Sequence, residues 1–132
     1  MGTMIQQRDL TAEDFGGHAL EGCNEYLVKT RPDVIEAIHR AYLAAGSDII
    51  ETNTFGGTEL VLAEYQVQDE AYDLNFRAAQ LARHAADEFS TPEKPRFVAG
   101  SIGPTTKMLS LTGGVTFAEL ERNFHDQAKA LV

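Results

Sequence analysis

The fold is decided by the stretch Asp48-Ile49-Ile50-Glu51-Thr52-Asn53-Thr54-Phe55-Gly56-Gly57. It opens with a short apolar run and ends in polar residues at a pair of glycines. This pattern is typical of a parallel strand, here predicted over 49–55, whose carboxyl end opens onto a functional site. A second segment, Arg96–Ala99, has the same character and runs into Gly100–Thr105. Two such strand ends, with helices between them, predict a βα-barrel enzyme.

The chain is long enough for one domain but not for a whole barrel. It has 132 residues, whereas a complete (β/α)₈ TIM barrel usually takes roughly 250. Glycines interrupt segment 8–29, which we expect to be irregular. Apolar periodicity and capping signals predict helices over 30–46, 58–65, 69–89 and 116–131. The order helix, strand, helices, strand, helix predicts an α/β fold with a parallel sheet, as part of such a barrel in a single unit, 1–132.

Each long helix has an apolar face at helical spacing, which predicts its buried side chains. Thr30 is the predicted N-cap of the first of these helices, and Thr116 with Glu119 forms a capping box for the last. His39, His84 and His125 lie off these faces and are expected to face solvent. The predicted buried faces are Val34, Ile35, Ile38, Ala41, Tyr42 and Ala45; Leu74, Ala78, Leu81, Ala82, Ala85 and Phe89; and Phe117, Leu120, Phe124, Ala128 and Leu131.

Charge and composition exclude several classes of function. The net charge is −9, from 11 Lys and Arg against 20 Asp and Glu, so the surface repels phosphate backbones and no nucleic-acid binding is predicted. The sequence has no apolar run of about 18 residues and no signal peptide pattern, so we expect a cytoplasmic protein without a membrane partner. Its one cysteine, Cys23, forms neither an internal disulfide nor a structural zinc site by itself, and a reduced structural thiol is predicted.

Candidate site residues lie where the two strands end, because a βα-barrel carries its functional groups there. Glu51, Asn53 and Phe55 share one direction along the first strand, and Thr52 and Thr54 share the other. Two interpretations of Glu51 and Asn53 stay open: they bind a substrate, or they cap nearby backbone at the rim.

The second strand end, Gly100–Lys107, resembles a phosphate loop but lacks the Gly-Lys-Ser/Thr succession that such a loop needs. Its glycines indicate close approach of the backbone to a ligand or to a neighbouring loop. A purely structural turn is slightly favoured from the pattern alone.

Four stretches together resemble the N-terminal homocysteine-binding (homocysteine S-methyltransferase) domain of cobalamin-dependent methionine synthase. They are Met1–Gln6, Gly22–Glu25 with Arg31–Ile35, Asp48–Gly56 and Gly100–Thr105. The resemblance implies a (β/α)₈ barrel that binds homocysteine through zinc held by three cysteines. It also implies methyl transfer from methylcobalamin, recharged by methyltetrahydrofolate, with folate, cobalamin and activation domains as partners in the full-length chain.

The sequence departs from the family pattern in two places. An Asp-Gly-Ala element precedes Met-Gly-Thr in the family, so the chain corresponds to roughly the first three βα units with the first strand missing. The family's late Gly-x-Asn-Cys and Gly-Gly-Cys-Cys elements are also missing. We therefore expect no bound zinc or cobalamin, no catalytic residue and no activity of the chain alone. The resemblance implies a partial substrate pocket made by Gly2, Thr3, Glu51, Asn53, Thr54, Phe55, Ser101 and Gly103.

Two other hypotheses stay open at this point. One is a fragment of a simpler, cobalamin-independent homocysteine S-methyltransferase. The other is a non-catalytic half-barrel that serves as a binding module. A half-barrel of this kind has open sheet edges, which favour dimerisation.

Overall fold

A computed structural model describes residues 1–109 and 113–132. The predicted glycine-containing loop 100–115 lies partly outside these residues. Four 3₁₀ turns, at His18–Leu20, Asn24–Tyr26, Ala63–Tyr65 and Gln68–Glu70, connect longer elements. Those elements, in chain order, are α1 (Gly2–Gln6), α2 (Ala12–Phe15), α3 (Leu27–Thr30), α4 (Pro32–Ala44), β1 (Ile49–Glu51), α5 (Glu59–Leu62), α6 (Ala71–Phe89), β2 (Phe97–Ala99) and α7 (Phe117–Leu131).

The two strands form a parallel pair, in which Ile50 lies opposite Val98. The α/β class and the parallel sheet are therefore confirmed. Helices α5 and α6 make the crossover between the strands. Strand β1 is shorter than predicted. After a last ladder bond from the amide of Thr52, the chain turns into a loop in which the Thr54 hydroxyl bonds the carbonyl of Ser101.

Within the described residues, helices cover only one face of this strand pair. Ile50 is 4% exposed and packs in a cluster with Leu43 of α4 and alanines of α6. A larger apolar cluster joins α1, α3, α4 and α6. On the other face Ile49 is 60% exposed and Phe97 54% exposed. Ile49 and Phe97, which alternate along their strands with buried side chains, therefore form an exposed apolar face.

One edge of β1 has no partner strand among the described residues. Asp48 accepts from the amide of Phe97 (2.9 Å), and Thr52 donates to the carbonyl of Ala99 (3.0 Å). In a parallel ladder alternate residues bond to the same neighbour, so the backbone groups of Ile49 and Glu51 point away from β2. A cavity of about 330 Å³ lies beside this edge and is lined by Met1, Ile38, His39, Tyr42, Ser47, Ile49, Ile50 and Glu51.

The helix starts were predicted with mixed success. The Thr116–Glu119 capping box of α7 is confirmed. Thr30 as an N-cap is wrong, because Thr30 ends α3 and its hydroxyl donates to the carbonyl of Tyr26, so that α4 begins at Pro32 after Arg31. Segment 8–29 is not irregular: it holds α2 and α3, which are too short to show a period.

The buried face of α6 agrees with the prediction at Leu74, Ala78, Ala82 and Ala85. The face predicted for α7 is wrong. Asn123, Gln127 and Ala130 are buried instead, and Phe117 is 69% exposed. Helix α7 packs on α6 and on polar backbone next to β1, so amide side chains occupy the contact and the apolar residues lie towards its flanks.

The predicted face of α4 also needs correction. Val34, Ile35 and Ile38 are buried, but Ala41 and Ala45 lie at the exposed margin of the helix. Tyr42 is 44% exposed because it borders the cavity beside β1.

His39 is 2% exposed and therefore does not face solvent as predicted. Its ring lies on the α4 face that borders the same cavity, and Nε2 is buried without a hydrogen-bond partner among the described residues. Burial, with a smaller contribution from the N-terminal ammonium, lowers the pKa of His39 to about 4. His84 and His125 are exposed, as expected.

His39 should make stability depend on pH. Its pKa is about 4 in the fold against an ordinary value of 6.5, so the unfolded chain binds more protons between these values. The free energy of unfolding should fall as pH drops through this window, by up to about 3 kcal/mol. Urea unfolding at several pH values measures it. His39→Leu should reduce this slope, whereas His18→Leu, at a 94% exposed side chain, should keep it; equal slopes in the two variants would contradict the assignment.

Candidate functional site

The carboxyl ends of β1 and β2 continue into two loops that are bonded to each other. We call Thr52–Thr58 the β1 loop and Gly100–Thr105 the β2 loop. The amide of Ser101 donates to Thr52 Oγ1 (2.9 Å), and Thr54 Oγ1 donates to the carbonyl of Ser101 (2.7 Å). The Thr52 and Thr54 hydroxyls are 2.6 Å apart, which agrees with the predicted shared direction. Five of the predicted site residues therefore lie in these two bonded loops: Asn53, Thr54, Phe55, Ser101 and Gly103.

Gly103 brings the two loops to their closest approach. Its amide donates to the carbonyl of Phe55 (2.9 Å). A Cβ atom at this position would lie 2.6 Å from that oxygen and 2.8 Å from the Phe55 ring. Glycine is required here because a neighbouring loop occupies the space of a side chain, which is one of the two interpretations drawn from the sequence.

Asn53 and Glu25 connect the β1 loop to the Cys23-Asn24-Glu25 element. Asn53 is 5% exposed, and its Nδ2 donates to the carbonyl of Asn24 (2.7 Å). Glu25 Oε1 accepts from the amide of Gly56 (2.7 Å). The amide of Asn53 is thus engaged with backbone, as the capping interpretation describes.

Glu51, the last residue of β1, and Phe55, in the β1 loop, are both exposed. Phe55 is 61% exposed although its backbone is held by Gly103. The exposed Glu51 forms no ion pair within residues 1–109 and 113–132. A free carboxylate and an aromatic face at the end of a strand can bind the cationic and the apolar part of a small ligand.

Gly2 and Thr3, two members of the implied pocket, lie on α1. The preceding residue, Met1, lines the cavity beside β1 together with Glu51. The start of α1 therefore lies near the end of β1, although no hydrogen bond joins Gly2 or Thr3 to the two loops among the described residues.

Sequence reasoning missed two buried amides behind the β1 loop. Asn75 of α6 is 0% exposed and Gln127 of α7 is 3% exposed. Nε2 of Gln127 donates to the carbonyl of Thr54 (2.8 Å), and Nδ2 of Asn75 donates to the carbonyl of Gly57 (2.6 Å). Each of these amides lies at helical spacing from apolar residues of its own helix. This spacing is the signal that the sequence offered, because it indicates a polar side chain on a buried face.

The described residues do not fit a zinc site. Cys23 is a free, fully buried thiol, and burial together with the charge of Glu25 raises its pKa to about 11. Within 1–109 and 113–132, no three His, Cys, Asp or Glu side chains converge as a metal site would require.

The helices in those ranges also include none that is long and apolar enough to cross a membrane.

A family model for homocysteine S-methyltransferase matches residues 1–132. The chain therefore belongs to the homocysteine S-methyltransferase family, a family of methyltransferase enzymes, and the resemblance read from its motifs is confirmed.

Among curated relatives, the methionine synthase of Mycobacterium leprae is 51% identical over 111 residues, or 84% of this chain. The methionine synthase of Mycobacterium tuberculosis is 45% identical over 132 residues, or 100% of this chain. The chain spans only 9% and 11% of these two relatives.

A solved structure shares the fold. The homocysteine methyltransferase MmuM from Escherichia coli, in its metallated form, matches with a TM-score of 0.75 at 20% identity. The match covers 99% of this chain and 47% of that chain. At this identity the comparison concerns the fold alone.

Replacing Gly103 by alanine should separate the two loops. The new Cβ would meet the Phe55 carbonyl, which is backbone and cannot move aside cheaply, so Gly103→Ala should cost about 2 kcal/mol or more. Gly100→Ala is the matched control, because the nearest atoms to its Cβ all belong to the side chain of Leu131, whose flexible end is closest at 3.0 Å. This substitution should cost less than about 1 kcal/mol. Urea denaturation measures both, and equal costs would contradict the close-approach argument.

Proposed function

We propose that these residues form one side of the homocysteine site of a methionine synthase. Such an enzyme transfers a methyl group from methylcobalamin to homocysteine, and methyltetrahydrofolate then recharges the cobalamin. The observation that carries the proposal is the bonded pair of strand-end loops, with Glu51 and Phe55 exposed beside them. The proposal also draws on the 45% and 51% identity to methionine synthases.

We propose that residues 1–132 are an incomplete homocysteine-binding domain, equivalent to roughly three βα units of a (β/α)₈ barrel without its first strand. Helices cover one face of the parallel pair, as in the wall of a barrel. The open face, with Ile49 and Phe97, then corresponds to the barrel interior, and the free edge of β1 to the place of a neighbouring strand. The extent of the structural match, 47% of the E. coli enzyme, supports this view.

The eight pocket residues divide into two roles in this proposal. The carboxylate of Glu51 binds the ammonium group of homocysteine, since a charge-assisted hydrogen bond favours that pairing. The exposed ring of Phe55 packs against the methylenes of the substrate, and Ser101 and Thr3 offer hydroxyls at the rim. The remaining residues shape the backbone around them: Gly2, Asn53, Thr54 and Gly103.

The described residues of this chain do not supply a set of zinc ligands. Zinc and cobalamin belong to other parts of the full-length enzyme in this proposal, as do the folate and activation domains. The chain alone is then inactive. A simpler methyltransferase is less favoured, because the relatives at 45% and 51% identity are methionine synthases, while the 20% match to the E. coli enzyme concerns only the fold. A cytoplasmic location stays a prediction.

Sequencing the gene on both sides of this segment tests the assignment. We expect the reading frame to continue downstream into Gly-x-Asn-Cys and Gly-Gly-Cys-Cys elements, and then into folate and cobalamin domains. A stop codon directly after Val132, with no strand encoded ahead of Met1, would leave a half-barrel binding module as the better explanation.

Substitution of Glu51 tests its role in the full-length enzyme. Glu51→Gln keeps the shape but removes the charge, so the KM for homocysteine should rise about tenfold while the KM for methyltetrahydrofolate stays unchanged. Glu93→Gln is the matched control, because Glu93 is an exposed carboxylate on the loop before β2. This loop lies at the amino end of the strand, away from the candidate site. A homocysteine KM that is the same in both variants would remove Glu51 from the binding site.

A further inference from the structure

Two buried amides hold the β1 loop from behind. Gln127 Nε2 donates both to the carbonyl of Thr54 (2.8 Å) and to Asn75 Oδ1 (3.2 Å). Asn75 Nδ2 donates to the carbonyl of Gly57 (2.6 Å) and to that of Ala71 in its own helix (2.7 Å). One connected network thus joins α6, α7 and two carbonyls of the loop.

The backbone between those carbonyls is held at each residue. The amide of Gly57 donates to the carbonyl of Thr54 (3.0 Å) and closes a tight turn. Gly56 donates to Glu25 Oε1 (2.7 Å), and Phe55 accepts from Gly103 (2.9 Å). The ring of Phe55 is nevertheless 61% exposed, so a fixed backbone presents a free aromatic side chain.

Gly57 shows how closely the amides approach the loop. A Cβ atom there would lie 2.5 Å from Asn75 Oδ1 and 2.9 Å from Gln127 Nε2. The loop therefore rests directly on the two amides, and any shift of either would displace the turn that carries Phe55.

Contact between α6 and α7 does not by itself call for amides. Burying an amide is unfavourable unless its hydrogen bonds are made, and an apolar side chain of the same size would fill the space without that cost. Gln127 also leaves its Oε1 buried with no hydrogen-bond partner in the described parts of the chain. What the amides add is a bond to two particular carbonyls, which fixes the position of the loop.

We propose that Gln127 and Asn75 are positioning residues for homocysteine binding, which act by holding the β1 loop so that Phe55 faces the substrate. The inference rests on the proposed function, because it deepens the description of the same site. Neither amide touches the substrate in this arrangement, since both lie on the helix side of the loop and are almost completely buried.

The test uses the full-length enzyme with a matched pair of variants on α7. Gln127→Met fills the same space without the donor. Asn123→Leu is the control, because Asn123 is also 3% exposed and lies one turn earlier, but bonds the amide of Leu60 (3.0 Å) and not the β1 loop. Both variants should lower the melting temperature to a similar extent. Only Gln127→Met should raise the KM for homocysteine, by about tenfold, with the KM for methyltetrahydrofolate unchanged and kcat within about twofold.

A homocysteine KM that stays unchanged in Gln127→Met, or that rises equally in Asn123→Leu, overturns the inference and leaves the amides a purely structural role. Failure of the proposed function gives a different result, because the unsubstituted enzyme would then show no methyl transfer to homocysteine.

If Gln127→Met does not fold, Gln127→Glu retains the shape and replaces the donor by a carboxyl group. Burial raises the pKa of such a group, so the homocysteine KM, taken relative to the unsubstituted enzyme, should be raised near pH 8 and recover towards pH 6 as the carboxyl takes up a proton and donates again. A relative KM that does not change with pH would count against the positioning role.

Discussion

The structure depends on the hydrogen bonds made at Thr54. Its hydroxyl donates to the carbonyl of Ser101 (2.7 Å), and its carbonyl accepts from Gln127 (2.8 Å) and from the amide of Gly57 (3.0 Å). Thr54, a single residue in the β1 loop, therefore joins its own turn, the β2 loop and α7. Because Thr54 is 1% exposed, these bonds are shielded from competing water and the three elements are fixed relative to one another.

That junction also sets where side chains are excluded. A Cβ on Gly57 would lie within 3 Å of two amide side chains. A Cβ on Gly103 would lie within 3 Å of the carbonyl of Phe55. The requirement for glycine comes from neighbours that are distant in sequence, and not from an unusual backbone angle at these two residues. The requirement at Gly57 thus reflects packing of the β1 loop against α6 and α7.

Local signals predicted much of the fold. The strand starts, the span of α6 and the capping box of α7 follow from neighbouring residues, and the family follows from motifs that lie along the whole chain. The buried side of α7 and the burial of His39 could not be found this way, because each depends on which surface the helix meets. The partners of Asn53 and Gln127 are backbone groups 29 and 73 residues away, and spacing along the chain carries no record of such pairs.

The fully buried thiol of Cys23 has a practical consequence. Its sulfur lies in the apolar cluster that joins α3, α4 and α6, and its pKa is raised to about 11. Alkylating reagents react with the thiolate. The folded chain therefore protects this sulfur in two ways: burial excludes the reagent, and the raised pKa keeps the thiol protonated. The rate at which Cys23 is labelled is then a direct record of how often this core opens, obtained from the natural sequence without any added probe.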